Sequence, residues 1–477
     1  MSDLPELLDL VDGERHAPAV VVDRWLEDPN TGERAQPVRA TAADALSRAS
    51  AAADLVHASG SWSGLSAEER ADWLERYADA LAPRCEEVAR LEALTTGAPI
   101  SQTTMLSFIV HAAFRLVAEQ LRGGLLTRTF EGPAGSDVEV RRLPWGPALC
   151  LVPWNAPAPM AAHKVASALG AGCPVVLKPS EFAPHGSAAL ADAAVEIGLP
   201  AGVFQLVHGD VGVGQLLVDD PRFRAVSFTG GLAGGRAIAA ASVESLRPVQ
   251  LELGGHNPLV VMPDADLDQA AHAVVGLMTT LNGQWCRSLG RLIVPAAQHD
   301  ALVQRCLAAL AEVRLGSSLA TDSQMGPMVH SGHLAHLHDR IEALGGKAHS
   351  STPLPALGGN FLAPTLITGA QSSMHEVFGP VATVHPYVSL EEAVALANGT
   401  SYGLEGYVVG TDVDAAMTVA RRIRAGGVKV NGVSPLSLHL MAPRPAWGLS
   451  GLGAEGTVET ITFFTNEQVV GIEGSLA

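Results

Sequence analysis

From Ala148 onward the chain settles into short apolar runs separated by helical segments, and this alternation limits the fold more than any other feature. The runs cover residues 148–152, 175–177, 203–207, 225–228 and 249–253, with helical stretches near 160–169, 184–197 and 234–241. Runs without polar alternation predict strands covered on both faces, so the pattern reads as β-α-β units on a parallel sheet. A second series follows from Leu259 to about Asn431, with helices expected over 267–280, 299–310, 333–344 and 413–425. Two α/β lobes flanking one cleft are expected, and sheets of this kind place ligands at the carboxyl ends of their strands.

The flanking segments carry local signals. Asp28-Pro29-Asn30-Thr31-Gly32-Glu33 reads as a turn between two short strands. An Ala-rich helix is expected over 42–56. Ser66 with Glu69 has capping-box spacing for a helix through Leu81, and Pro83 suits the first position of the next one. Residues 127–142 are polar, contain Gly132, Pro133 and Gly135, and alternate at Val138-Glu139-Val140-Arg141, as a hairpin would. The stretch 460–472 has strand-like character.

Composition narrows the alternatives. A chain of 477 residues with 47% hydrophobic content can bury large cores, enough for about two to four domains. Lys and Arg number 31 against 49 Asp and Glu, a net charge of −18 that disfavours nucleic acid and anionic membranes. Residues 1–11 are acidic, unlike a secretory signal, and the longest apolar region, 146–177, is broken by prolines, His163 and Lys164, so no membrane span is expected. A cytoplasmic location follows as the expectation. The five cysteines are widely spaced without a CxxC pair, which argues against disulfides and zinc.

One of them stands apart. Cys286 lies in a Gly-bearing turn between a helical segment and the apolar run Leu292-Ile293-Val294, where a thiol can be presented to a cleft; Glu252, 34 residues earlier at a strand end, is a candidate base for it. In this order and separation, Glu252-Leu253-Gly254-Gly255 and Gly283-Gln284-Trp285-Cys286 resemble the active-site pair of the NAD(P)-dependent aldehyde dehydrogenase superfamily. Further boxes extend the resemblance over nearly the whole chain. It implies two Rossmann-like lobes and an oligomerisation arm: residues 1–126 and 145–253 for the dinucleotide, 127–144 and 458–477 for the arm, and 254–457 for catalysis.

The resemblance also implies roles. Asn155 of Pro153-Trp154-Asn155-Ala156-Pro157 would hold the oxyanion with the backbone N–H of Cys286. Lys178 and Glu181 would meet the adenosine ribose, with Ser180 between them a further cofactor-binding candidate; a carboxylate there disfavours a 2′-phosphate and so favours NAD over NADP. Gly230, Gly231 and Gly235 would let a helix N-terminus approach the pyrophosphate, although Gly231 stands where the family has Ser. Glu376 and Phe378 would hold the nicotinamide end, and Trp154 is a further cofactor-binding candidate. Glu252 implies hydrolytic release of a free acid, since relatives that acylate coenzyme A lack it; acylation of coenzyme A and a silent scaffold of the same fold are the alternatives. The arm implies a homodimer or homotetramer, and the partner is a small aldehyde.

Departures concern the substrate. Ala156, Met160, His163 and Trp285 are the candidate pocket residues; bulky Trp285 and small Ala156 point to a reshaped pocket for a flat or branched aldehyde, or to compensating core volumes. Pro445-Ala446-Trp447-Gly448-Leu449 replaces a longer family stretch. His330, His333, His336 and His338 form a cluster that suits a solvated helix face, and no metal is assigned.

Overall fold

In the computed structural model, residues 4–132, 135–371 and 375–473 are described. Met1 to Asp3, Pro133 of the expected hairpin and the last four residues of the expected arm lie outside them.

The chain opens with strands β1 (Asp9–Val11) and β2 (Glu14–His16), then the hairpin β3 (Val20–Glu27) and β4 (Arg34–Ala40), which flanks the expected 28–33 turn. Helices α1 (Ala43–Ser59), α2 (Ala67–Leu81), α3 (Cys85–Thr96) and α4 (Ile100–Arg122) follow. The Ser66–Glu69 capping box forms, whereas Pro83 occupies a 3₁₀ turn, Ala82–Arg84, that links α2 to α3. By length and composition α4 could cross a membrane. Its buried residues, among them Val110, Phe114, Val117 and Leu121, recur at helical spacing in the first-lobe core, as in a one-faced core helix.

Next come the hairpin β5 (Thr127–Glu131) and β6 (Asp137–Pro144), and then β7 (Ala148–Val152), α5 (Pro157–Ala171), β8 (Val175–Pro179), α6 (His185–Glu196), β9 (Phe204–Leu206), α7 (Val211–Val218), β10 (Ala225–Thr229), α8 (Leu232–Ser242) and β11 (Val249–Glu252). All five expected strands are present, in the parallel order β9-β8-β7-β10-β11, and every residue of β7 and β8 is buried. The second lobe follows the same rule, with β12 (Asn257–Val261), α9 (Leu267–Thr279), β13 (Leu289–Pro295), α10 (His299–Ala311), α11 (Ser331–Leu344), β14 (Lys347–His349), β15 (Thr365–Thr368) and β16 (Val381–Tyr387) contributing to a seven-stranded sheet.

Two further expectations need correction. The helix expected over 413–425 is Val413–Ala420; the backbone N–H groups of Arg422 and Ile423 close on Val419 and Ala420 in tighter turns, ahead of Gly426-Gly427. The stretch 460–472 is part of a helix, Thr457–Phe463, and then a strand, Thr465–Gly471, which pairs with β6. Packing overrides its β-branched composition, because Ile461 and Phe464 insert fully into the first-lobe core. Leu251 and Glu252 of β11 also pair with Gly451–Leu452, so the late chain returns to the first sheet.

Candidate active site

A cavity of about 640 Å³ runs along the carboxyl ends of β7, β8, β10 and β11 and reaches the second lobe. Cys286, Glu252 and Asn155 all line it. So do Trp154, Ala156, Met160, Lys178, Ser180, Glu181, Gly230, Gly231, Trp285, Glu376 and Phe378. Two expected members do not. Gly235 sits in α8, where an added Cβ would lie 2.6 Å from Leu253 Cδ2, so it serves close packing of helix on strand. His163 is not a lining residue either; its Nε2 lies 3.0 Å from Thr460 Oγ1, and burial pushes its ring down to about 3, so it is neutral.

The nucleophile is delivered by a strained turn. Leu281 and Asn282 have φ of +46° and +60°, a left-handed conformation that costs on the order of 1 kcal/mol or more per non-glycine residue. Asn282 is fixed by three hydrogen bonds: Nδ2 donates to the carbonyls of Gly97 and Pro327 at 2.9 Å each, and Oδ1 accepts from Gly326 N at 2.7 Å. At Gly283 a Cβ would lie 2.5 Å from Pro380 N, so glycine is required there. Downstream, Asn257 Nδ2 donates to the carbonyls of Cys286 at 2.9 Å and Ser288 at 2.7 Å. The half-buried thiol is therefore held on both sides.

Charge around the thiol is paired across the lobes. Burial, with Glu252 adding, raises the Cys286 thiol well above its ordinary value, while Arg287 opposes this. Glu252 is 6% exposed, and burial together with the negative charge of Glu455 pushes it up to about 7. Burial alone would raise Glu455 too, but the positive charges of Lys164 and Arg444 outweigh it and hold that carboxyl well below the usual range. Lys164 Nζ donates to Glu455 Oε1 and Ser227 Oγ at 2.8 Å each. Two carboxyls forced apart in this way suit one to accept a proton and the other to stay ionised.

Arg287, Arg444 and Glu455 all line the cavity without having been singled out from the sequence as active-site groups. The position of Arg287 beside Cys286 was the available signal.

The cavity residues fit a dinucleotide. Gly231, the N-cap of α8, has open space where a Cβ would point, leaving the helix N-terminus accessible to an anion. Lys178 Nζ donates to Pro179 O at 3.1 Å and lies 3.8 Å from Glu181. Across the cleft, Gly255 N donates to Glu376 Oε1 at 2.8 Å, and burial pushes Glu376 up to about 8. Phe378 packs edge-on against Trp154, ring centroids 5.4 Å apart. The histidine cluster divides: His330 Nδ1 caps α11 by accepting from His333 N and His333 Nε2 is 3.0 Å from Phe378 O, whereas His336 and His338 are exposed, as on a solvated helix face.

The chain is 37% identical over 428 residues to geranial dehydrogenase of Castellaniella defragrans, covering 87% of this chain and 88% of that one. Among solved structures, betaine aldehyde dehydrogenase of Staphylococcus aureus in complex with NAD+ superposes with a TM-score of 0.91 at 27% identity, over 99% of this chain and 95% of that one. An NAD-dependent aldehyde dehydrogenase of Sinorhizobium meliloti gives 0.91 at 32%, over 98% and 95%. The model of the aldehyde dehydrogenase family matches residues 25–470. With that match across both lobes and the cavity between them, the chain belongs to the aldehyde dehydrogenase family.

Proposed function

We propose that the protein oxidises an aldehyde to the free carboxylic acid with NAD, through a thioester on Cys286 that water hydrolyses. The observation that carries this is the convergence of Cys286, Glu252 and Asn155 on one cavity that also reaches Gly231 and the α8 N-terminus. Glu252 takes the thiol proton, and the thiolate adds to the aldehyde carbon. The oxyanion so formed accepts hydrogen bonds from Asn155 Nδ2 and the Cys286 backbone N–H. Bound NAD supplies the acceptor for the hydride that leaves this carbon. Once that first proton has been lost to solvent, Glu252 removes a proton from water as it attacks the thioester and passes it to the departing Cys286 sulfur, so that the acid leaves with the thiol restored.

NAD is supported by Glu181 at the expected ribose position and by the NAD+ complex of the S. aureus structure. In this reading the first lobe, 1–126 with 145–253, binds the dinucleotide, and 254–457 supplies the nucleophile. An apolar, flat or branched aldehyde is supported by the lining residues Leu106, Ile109, Met160, Leu281, Trp285 and Pro435, and by the activity for which the C. defragrans relative is named. The sheet of β5, β6 and Thr465–Gly471 carries exposed Phe130, Val469 and Val470, with exposed Ile472 just past its end. An apolar, exposed sheet of this kind supports a homodimer or homotetramer built on it.

The test is NADH formation by purified protein without coenzyme A, over aliphatic, aromatic and terpenoid aldehydes. Free acid is expected as product, with no turnover by Cys286→Ala. A requirement for coenzyme A, or turnover surviving that substitution, overturns the reading.

A further inference from the structure

The carboxylate of Glu181, at the end of β8, does not stand alone. Arg24 of β3 reaches over from the N-terminal hairpin and donates through Nη1 to Glu181 Oε1 at 2.8 Å. Lys178 Nζ lies 3.8 Å from Oε2 of the same group. The Glu181 side chain is 11% exposed and Arg24 44%, so the anion is sheltered and the cation is free to swing. Arg24 also sits 5.1 Å above the Phe182 ring, whose other neighbour is His330, stacked at 4.2 Å. This ring contact seats the guanidinium beside Glu181 without using up its donors.

A lone carboxylate beside the adenosine ribose would repel a 2′-phosphate. Here two cations face one carboxylate, with Asp210 the further acidic group acting on Lys178. The corner therefore carries no excess of negative charge. A guanidinium suits a phosphate better than an ammonium does, because its fork donates two parallel hydrogen bonds. From this arrangement we infer that Arg24 is a specificity-determining residue: it neutralises Glu181 when the ribose is unmodified and turns to a 2′-phosphate when one is present, so that the chain binds NADP as well as NAD. The inference rests on the reading that Glu181 faces the adenosine ribose.

Equilibrium binding tests it without an aldehyde. Dissociation constants for NAD and NADP are measured by calorimetry on the full chain, with AMP and adenosine 2′,5′-bisphosphate as probes of the ribose corner alone. The unaltered protein is expected to bind NADP within about tenfold of NAD. In Arg24→Ala the NADP:NAD ratio of dissociation constants should rise tenfold or more, with bisphosphate lost relative to AMP in the same sense, and Arg24→Lys should fall between. Glu181→Gln should move the ratio the other way, toward NADP. If Arg24→Ala weakens both cofactors equally, Arg24 merely braces the hairpin and the inference fails, while a Glu181→Gln response would leave the ribose reading standing. If Glu181→Gln changes neither constant, the ribose reading fails and takes the inference with it.

Discussion

Asn155 Nδ2 donates to the backbone carbonyl of Gln284 at 3.0 Å, so the group expected to hold the oxyanion is fastened to the turn that carries the nucleophile. One amide hydrogen is used in that bond, which orients the other toward the cavity that Asn155 and Cys286 share. Gln284 is fixed in turn, its Oε1 accepting from Val329 N at 3.0 Å. The two lobes thus meet through a polar chain at the reacting centre.

Replacing Asn155 by Ala removes this tie and, on the proposed mechanism, the oxyanion donor. The expected loss in kcat is about 100- to 1000-fold, the range for one oxyanion donor. Steady-state kinetics on the best aldehyde, with Cys286 alkylation by iodoacetamide run in parallel, separates the two effects. A loss below tenfold in kcat would mean that the amide serves the turn and not the oxyanion.

Glu252 is pushed up to about 7 by burial and by Glu455, so as a base it is half protonated near neutrality. Below that pH it cannot accept the thiol proton, and activity should fall on the acid side. We expect log kcat/KM to rise with pH through about 7 and the limb to vanish in Glu252→Gln, leaving a slow residual rate. Because the thiol is itself raised well above its ordinary value, alkylation of cofactor-free protein should still be accelerating above pH 9. A pH profile whose acid limb survives Glu252→Gln would assign the base elsewhere.

Much of this is legible in the sequence alone. The strands of the first lobe announced themselves as unbroken apolar runs, and Ser66 with Glu69 fixed the start of α2 to the residue. Helix α7 was not seen, because Gly212, Gly214 and its valines depress helix propensity; the Asp210 side chain, accepting from Gly212 N, and lobe packing supply what propensity lacks. Nor could sequence give the left-handed Leu281 and Asn282, whose conformation is imposed by carbonyls of Gly97 and Pro327. The pairing of Arg24 with Glu181 crosses 157 positions and leaves no local trace. Site residue types were readable because chemistry restricts them; contacts that tune them were not, since they depend on chain reversals.

Gly254 offers a sterically sharp test of the contact between lobes. A Cβ there would lie 1.8 Å from Glu376 Oε2, so Gly254→Ala must push the carboxylate away and break its bond with Gly255 N. If Glu376 holds the nicotinamide end, the KM for NAD should rise about fivefold, the loss expected for one ordinary hydrogen bond of about 1 kcal/mol. Thermal stability should change much less, because Gly254 has no left-handed φ to defend. Unchanged cofactor kinetics in a folded Gly254→Ala protein would remove Glu376 from the binding site.

Glu92 carries a prediction about stability. It is 2% exposed, has no ion-pair partner among the described residues, and Oε1 accepts from Ala158 N at 2.6 Å, in the first turn of the helix that follows Asn155. Burial pushes its carboxyl up to about 8, the hydrogen bond from Ala158 opposing only in part. The folded protein therefore binds this proton more tightly than the unfolded chain, whose carboxyl titrates near 4.5. The stabilisation is complete below that value and is lost as pH rises through about 8, a loss of a few kcal/mol at about 1.4 kcal/mol per unit. Glu92→Gln keeps an oxygen for Ala158 and cannot ionise. Its melting temperature should match that of the unaltered protein near pH 5 and exceed it by several degrees at pH 9. A difference independent of pH between those two values would show that Glu92 is ionised throughout and stabilised by the α5 N-terminus alone.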